Sequence, residues 1–154
     1  MGLKKEIIKV NVTNLNPVSY KISSGVNKKR RINTATIKKI ARIVLKKLSG
    51  KKRKLNLNII FVTDKYIKKL NKTYRHKNLS TDVLCFCMPE GTDIFISSDR
   101  AVYNSKRFGT TFLNELYLYV IHGILHMLGF RDDTAGERQK MERTQERILS
   151  QLSS

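Results

Sequence analysis

The chain has no tryptophan, two prolines, two cysteines and three histidines in 154 residues, and its 12 acidic residues face 31 lysines and arginines. Two cysteines cannot build the disulfide framework of a small secreted domain. Cys85 and Cys87 stand two apart, so on a strand they point the same way, and a C-x-C pair alone matches no common zinc spacing. They read as reduced, buried cysteines of a cytoplasmic protein. Long apolar runs are also missing. The most apolar stretch, 112–130, is broken by Asn114, Glu115 and two histidines, short of the roughly 18 residues that span a bilayer. The start, Met-Gly-Leu-Lys-Lys-Glu, has no signal-peptide apolar core. Position 6 is Glu where myristoylation needs Ser or Thr. No membrane partner is expected, and there is no internal repeat or low-complexity tail.

What is present is an ordinary globular composition, 40% hydrophobic and 28% charged. The length suits one domain, 1–154, with a real core. The charge is uneven. Residues 1–77 hold 23 basic and 2 acidic residues, and residues 78–154 hold 8 basic and 10 acidic. A lysine-rich composition alone would load both halves. Runs such as Lys28-Lys-Arg-Arg31 and Lys51-Lys-Arg-Lys54 are the footprint of a polyanion partner. Nucleic acid fits better than an anionic membrane surface, because no amphipathic helix bearing Trp or Phe accompanies the charge.

Periodicity gives the elements. Ile8, Val10 and Val12 alternate in a first strand, 6–12. Residues 13–32, with Pro17 and Gly25, read as loop. Asn33 or Thr34 caps a helix carrying Ile37, Ile40, Ala41, Val44, Leu45 and Leu48 at helical spacing, stopped by Gly50. Leu55, Leu57, Ile59 and Phe61 alternate in the cleanest strand. Thr63 or Asp64 caps a helix through Ile67, Leu70 and Tyr74. After a polar loop, 83–88 reads as a buried strand and Pro89-Glu-Gly91 as a turn. Residues 93–97 form a further strand, and Ser98 caps a helix to Phe108. Thr110 or Thr111 starts an apolar helix, and a last amphipathic helix from Thr134 turns Met141, Ile148 and Leu152 inward. The order β-α-β-α-β-β-α-α-α predicts an α+β fold: a small mixed four-stranded sheet with five helices packed on it. The most apolar helix, through 112–127, should be central.

That helix carries His122-Gly-Ile-Leu-His126, then Met-Leu-Gly129-Phe-Arg-Asp132. Residues four apart share a helix face, so both imidazoles can meet at one point, half of a tetrahedral metal site. Gly129 can take the left-handed conformation that ends a helix. The chain then reverses, and Asp132 can return as an oxygen ligand. The frame is that of the zinc hydrolases, with Gly123 in place of the usual general-base Glu. A single histidine on an apolar face is more often a core residue. Two of three histidines in register with a glycine and a carboxylate favour a metal site.

At these residues the chain resembles the YbeY family of metal-dependent endoribonucleases, also called rRNA maturation factors. The family's H-G-x-L-H-x-x-G-Y-D-H stands here as His122 to Asp132. Its L-N-x-x-Y-R and T-D-V-L-S-F appear as Leu70-Asn71-Lys-Thr-Tyr74-Arg75 and Thr81-Asp82-Val-Leu84-Cys85-Phe86. Its G-D-I-x-I-S appears as Thr92-Asp93-Ile-Phe-Ile-Ser97. The match runs from about residue 55 to the C-terminus. It implies a zincin-like domain, one metal, usually zinc, and processing of RNA at or near the ribosome. The third ligand, His in the family, is Asp132; Arg131, Thr92 and Cys85 replace Asp, Gly and Ser. Two histidines and one carboxylate suit Fe(II) or Mn as well as zinc.

The expected mechanism uses His122, His126 and Asp132 to hold the metal, which activates a water or the RNA's own 2′-OH. Arg75, which matches the family's arginine, is expected to stabilise the phosphorane-like charge, unless it is a structural partner of Asp82 or Asp93. Those two carboxylates read first as cap or turn residues, and His76 as a surface histidine. Without a Glu at 123 a protease is discounted. The competing reading is a non-catalytic RNA- or ribosome-assembly factor whose metal staples the fold. An oxygenase with an iron facial triad is the weakest reading, because this sequence lacks the jelly-roll strand pattern such sites usually sit on.

Overall fold

The computed structural model describes residues 7–16, 19–21, 27–29, 32–50 and 54–152. β1 (Ile7–Asn14) is followed by two short strands, β2 (Ser19–Lys21) and β3 (Asn27–Lys29), which pair antiparallel with each other. Then come α1 (Thr34–Leu48), β4 (Lys54–Val62), α2 (Asp64–Arg75), β5 (Val83–Met88), β6 (Gly91–Ser97), α3 (Ser98–Phe108), α4 (Phe112–Met127) and α5 (Ala135–Leu152). The main sheet has the order β1-β4-β6-β5, with β1, β4 and β6 parallel and β5 antiparallel at the edge. The α+β fold with a mixed four-stranded sheet and five helices is therefore as expected. The segment 13–32 is not all loop: β1 extends to Asn14, and β2 and β3 lie within it. Of the two basic runs, Arg30, Arg31 and Lys51 to Arg53 lie outside the described residues.

Side-chain alternation assigns the two sheet faces. Leu57, Ile59 and Phe61 of β4 and Ile94 and Ile96 of β6 are fully buried against α1 and α4. Each such side chain contributes about 1.5–3 kcal/mol on burial. The opposite face, with Ile60, Val62, Leu84, Phe86 and Phe95, packs on Ile67 and Leu70 of α2. α4 packs against β5, β6, α1, α3 and α5 and buries Leu116, Tyr119, Val120, Ile121, Ile124 and Leu125, so the motif helix is central, as its composition implied.

Local chemistry sets the ends. Asn33, Thr63, Ser97 and Thr111 are the helix N-caps, each accepting from a backbone N–H three residues on. Ser97 thus takes the capping role expected of Ser98. Thr134 and Glu137 form a reciprocal capping box at the start of α5. No helix among the described residues is long and apolar enough to cross a membrane.

Candidate metal centre

α4 carries both histidines on one face, and their Nε2 atoms are 3.0 Å apart. Gly129, at φ 96°, ends the helix as the spacing required, and its N–H donates to the His126 carbonyl. The reversed chain brings Asp132 Oδ2 to 3.5 Å from His126 Nε2. One ligand atom from each of His122, His126 and Asp132 lies within 4.8 Å of the other two. Ligands at the usual zinc distances of about 2.0–2.2 Å around a tetrahedral ion stand roughly 3.4 Å apart, so the three residues fit a metal.

The outer hydrogen bonds fix the tautomers. His126 Nδ1 is 3.1 Å from the Phe130 carbonyl oxygen. A carbonyl only accepts, so Nδ1 carries the proton and Nε2 presents a lone pair. His122 Nδ1 donates in the same way to Gln145 Oε1 of α5. Two lone pairs then face each other at hydrogen-bond distance with no proton between them. That arrangement is unfavourable unless a cation lies between, and outer partners of this kind accompany metal-binding histidines. Burial holds the His122 imidazole below the ordinary histidine value, toward the neutral form a metal requires.

Arg138 of α5 donates to the carbonyls of Asp132 and Asp133, and so pins the loop that carries Asp132. Gly123 is a packing residue. A Cβ there would stand 2.6 Å from Ile94 Cγ2 and 2.8 Å from its Cδ1. A side chain at this position, where zinc proteases carry the glutamate, would therefore have to displace the Ile94 side chain.

A cleft of about 450 Å³ opens beside the centre, lined by His126, Asp132, Arg75, Lys77, Cys85 and Cys87 among others. Arg75, at the end of α2, lies in it and donates to the Cys85 carbonyl at 2.9 Å. Neither Asp82 nor Asp93 is its ion-pair partner among the described residues. Asp93 accepts from Asn58 at 2.8 Å. Asp82 accepts from Asn104 at 3.4 Å, and burial raises its carboxyl above the ordinary value. His76 is the exposed left-handed C-cap of α2. The cysteines are not both buried. Cys85 is half-buried and Cys87 exposed, because β5 is an edge strand. Both are free thiols with Sγ atoms 3.7 Å apart. Burial, and next the neighbouring Cys87, push the Cys85 thiol up to about 12.

The sequence reading missed Gln145 and the polar group behind the site. There Asn104 donates to Tyr119 at 2.7 Å, and Thr110 donates to the buried Glu115 at 2.5 Å. Gln145 was detectable: it interrupts the inward stripe of Met141 and Ile148 with a polar group that needs a buried partner.

The family model for endoribonuclease YbeY matches residues 23–153. Among curated relatives, endoribonuclease YbeY of Aquifex aeolicus is 35% identical over 134 residues, covering 82% of this chain and 88% of the relative. That of Thermodesulfovibrio yellowstonii is 34% identical over 152 residues, covering 82% and 94%. That of Endomicrobium trichonymphae is 40% identical over 119 residues, covering 75% and 83%. The solution structure of TM1509 from Thermotoga maritima shares the fold, with a TM-score of 0.58 at 22% identity, covering 94% of this chain and 91% of that one.

Proposed function

Because the chain belongs to the endoribonuclease YbeY family, and is thus an RNA-cleaving hydrolase, we propose that it is a zinc-dependent single-strand endoribonuclease of rRNA maturation and ribosome quality control, acting in the cytoplasm. The observation that carries the metal and the site is the convergence of His122, His126 and Asp132 at the wall of an open cleft that also holds Arg75. A purely structural zinc is usually closed off by a fourth protein ligand. Here the described residues supply three, and two of them line the cleft. Fe(II) or Mn(II) would suit the same donors.

When bound, the metal supplies Lewis acidity toward a phosphodiester oxygen and acidifies water or the 2′-OH beside it. His122 and His126 would hold it through Nε2, each oriented by its Nδ1 hydrogen bond. Asp132 adds the anionic donor. Arg75 is held at the β5 edge by the Cys85 carbonyl, which leaves the rest of its guanidinium to meet the charge that develops on the phosphate oxygens. Lys77, in the same cleft, adds a cation for the flanking backbone.

The test is elemental analysis together with cleavage of single-stranded RNA, with and without chelator. Wild type is expected to carry one zinc and to lose cleavage on chelation. His122→Ala/His126→Ala is expected to carry none; equal metal in both proteins ends the ligand assignment. Arg75→Ala is expected to retain metal and lose about 10²–10³-fold in cleavage rate. Unchanged cleavage would return Arg75 to a structural role.

A further inference from the structure

β5 is the exposed edge of the sheet, and its two faces line two clefts. Cys85 and Cys87 look toward α4, His126 and Asp132. Phe86 looks the other way, into a groove of about 540 Å³ between β5 and α2 that also takes in Tyr66, Tyr74, Met88 and Phe95. Arg75, like Cys85 and Cys87, lines both clefts, and its guanidinium reaches both the Cys85 carbonyl and the Phe86 ring.

The groove is aromatic beyond the needs of the core. Phe86 and Phe95 pack edge to face at 5.8 Å and close the sheet against α2. Tyr74 meets Phe86 edge-on at 5.4 Å, yet it is 63% exposed. Tyr66 lies 6.4 Å from Phe95 and is 45% exposed. The Arg75 guanidinium sits 5.7 Å over the Phe86 ring. Contiguous exposed aromatic surface of this kind marks a binding site. Its rim is cationic. Lys65, Lys68, Lys69 and Lys72 flank Tyr66 in an adjoining groove of about 550 Å³, and none of them is ion-paired among the described residues. One carboxylate, Asp93, reaches the aromatic groove and is engaged by Asn58.

Stacking rings beside unpaired cations are what a single strand of nucleic acid requires, because every base has a π-face and every link a negative charge. A duplex hides its bases and could use only the lysines. We propose that the groove between α2 and β5 is a subsite for an unpaired nucleobase of the RNA substrate. The strand would cross the β5 edge at Arg75, with its scissile phosphate on the α4 side and a flanking base stacked on Tyr74 on the α2 side. The proposal rests on the endoribonuclease reading for its ligand and adds to it a reason for single-strand preference.

The experiment measures binding of a short single-stranded RNA in chelator, where binding is read apart from cleavage. The control is an oligomer of the same length whose nucleotides are abasic, which keeps the charge and removes the rings. Wild type is expected to prefer the base-bearing oligomer by roughly tenfold or more, from one or two stacked bases. Tyr74→Leu, apolar but without a ring, is expected to lose that preference while binding the abasic oligomer as wild type does; Tyr74→Phe should retain it. Equal loss for both oligomers, or no loss in Tyr74→Leu, overturns the subsite. Should Tyr74→Leu fold poorly, Tyr74→Met, longer and also without a ring, gives the same comparison, and an unchanged preference there overturns the proposal equally. Cleavage in added zinc separates the two ideas. A chain that cleaves RNA with no Tyr74 effect keeps the nuclease reading and loses the subsite. A chain that binds with the Tyr74 effect and never cleaves does the reverse.

Discussion

At the scale of single residues, the centre depends on groups that bind no metal. Gln145 holds His122 from α5 and is itself buried, so its oxygen selects the tautomer that leaves Nε2 free. Such outer partners are worth about 10–100-fold in metal affinity. Gln145→Ala is therefore expected to weaken zinc binding by that factor, measured by competition with a chromophoric chelator. Gln145→Glu keeps an acceptor at the same place and should restore the affinity. Equal affinity in all three proteins would mean that the imidazole is oriented by α4 alone. Asp132 shows a different residue-scale effect. It is half-exposed, and it was legible only because Gly129 announced where the chain turns back.

At the scale of elements, the contact of α4 with β6 decides what the site can be. Ile94 is fully buried and β-branched, with one stiff rotamer axis, so it yields little to a new neighbour. Gly123→Ala gains about 1 kcal/mol of helix propensity but overpacks against Ile94 at a cost of about 1–3 kcal/mol. A net loss is expected, seen as a lower Tm. Gly123→Ala/Ile94→Ala should cost less than the two single changes together, because the second removes the obstacle of the first. Strict additivity would show that the glycine serves some purpose other than close approach. The capping residues were readable as types, since Ser, Thr and Asn at helix starts follow from orphan N–H groups. Their exact register was not: Ser97 and Ser98 are equally good caps in sequence, and only the end of the β6 pairing selects Ser97.

At the scale of the whole molecule, the net charge of +19 predicts RNA binding that falls steeply with salt. Log affinity should decline linearly with log salt, with a slope of about 0.7 per phosphate contacted on single strands. Replacing Lys51, Lys52, Arg53 and Lys54 by glutamine should flatten that slope by the number of phosphates they meet, read from binding isotherms at several salt concentrations. An unchanged slope would leave the run as a solvated face. The same replacements should not alter the preference for base-bearing over abasic RNA, because a lysine neutralises a phosphate whatever base it carries.

The sequence by itself determined the α+β class, the five helices, the four main strands and the motif His122, His126 and Asp132. Those depend on local rules: the 3.6 and 2.0 periodicities, orphan N–H groups at helix starts and the left-handed tolerance of glycine. The β2–β3 pair escaped because three-residue strands leave too short a pattern to read. The exposure of Cys87 escaped because strand order, not strand sequence, makes β5 an edge. Only the tertiary structure brought Gln145 to His122 across 23 positions, pressed Gly123 against Ile94, and set Arg75 over β5 between two clefts. Each of these is a contact between two different elements, including the consecutive pairs α4–α5 and α2–β5. Such contacts are fixed by how whole faces pack, which the periodicity of either element alone does not specify.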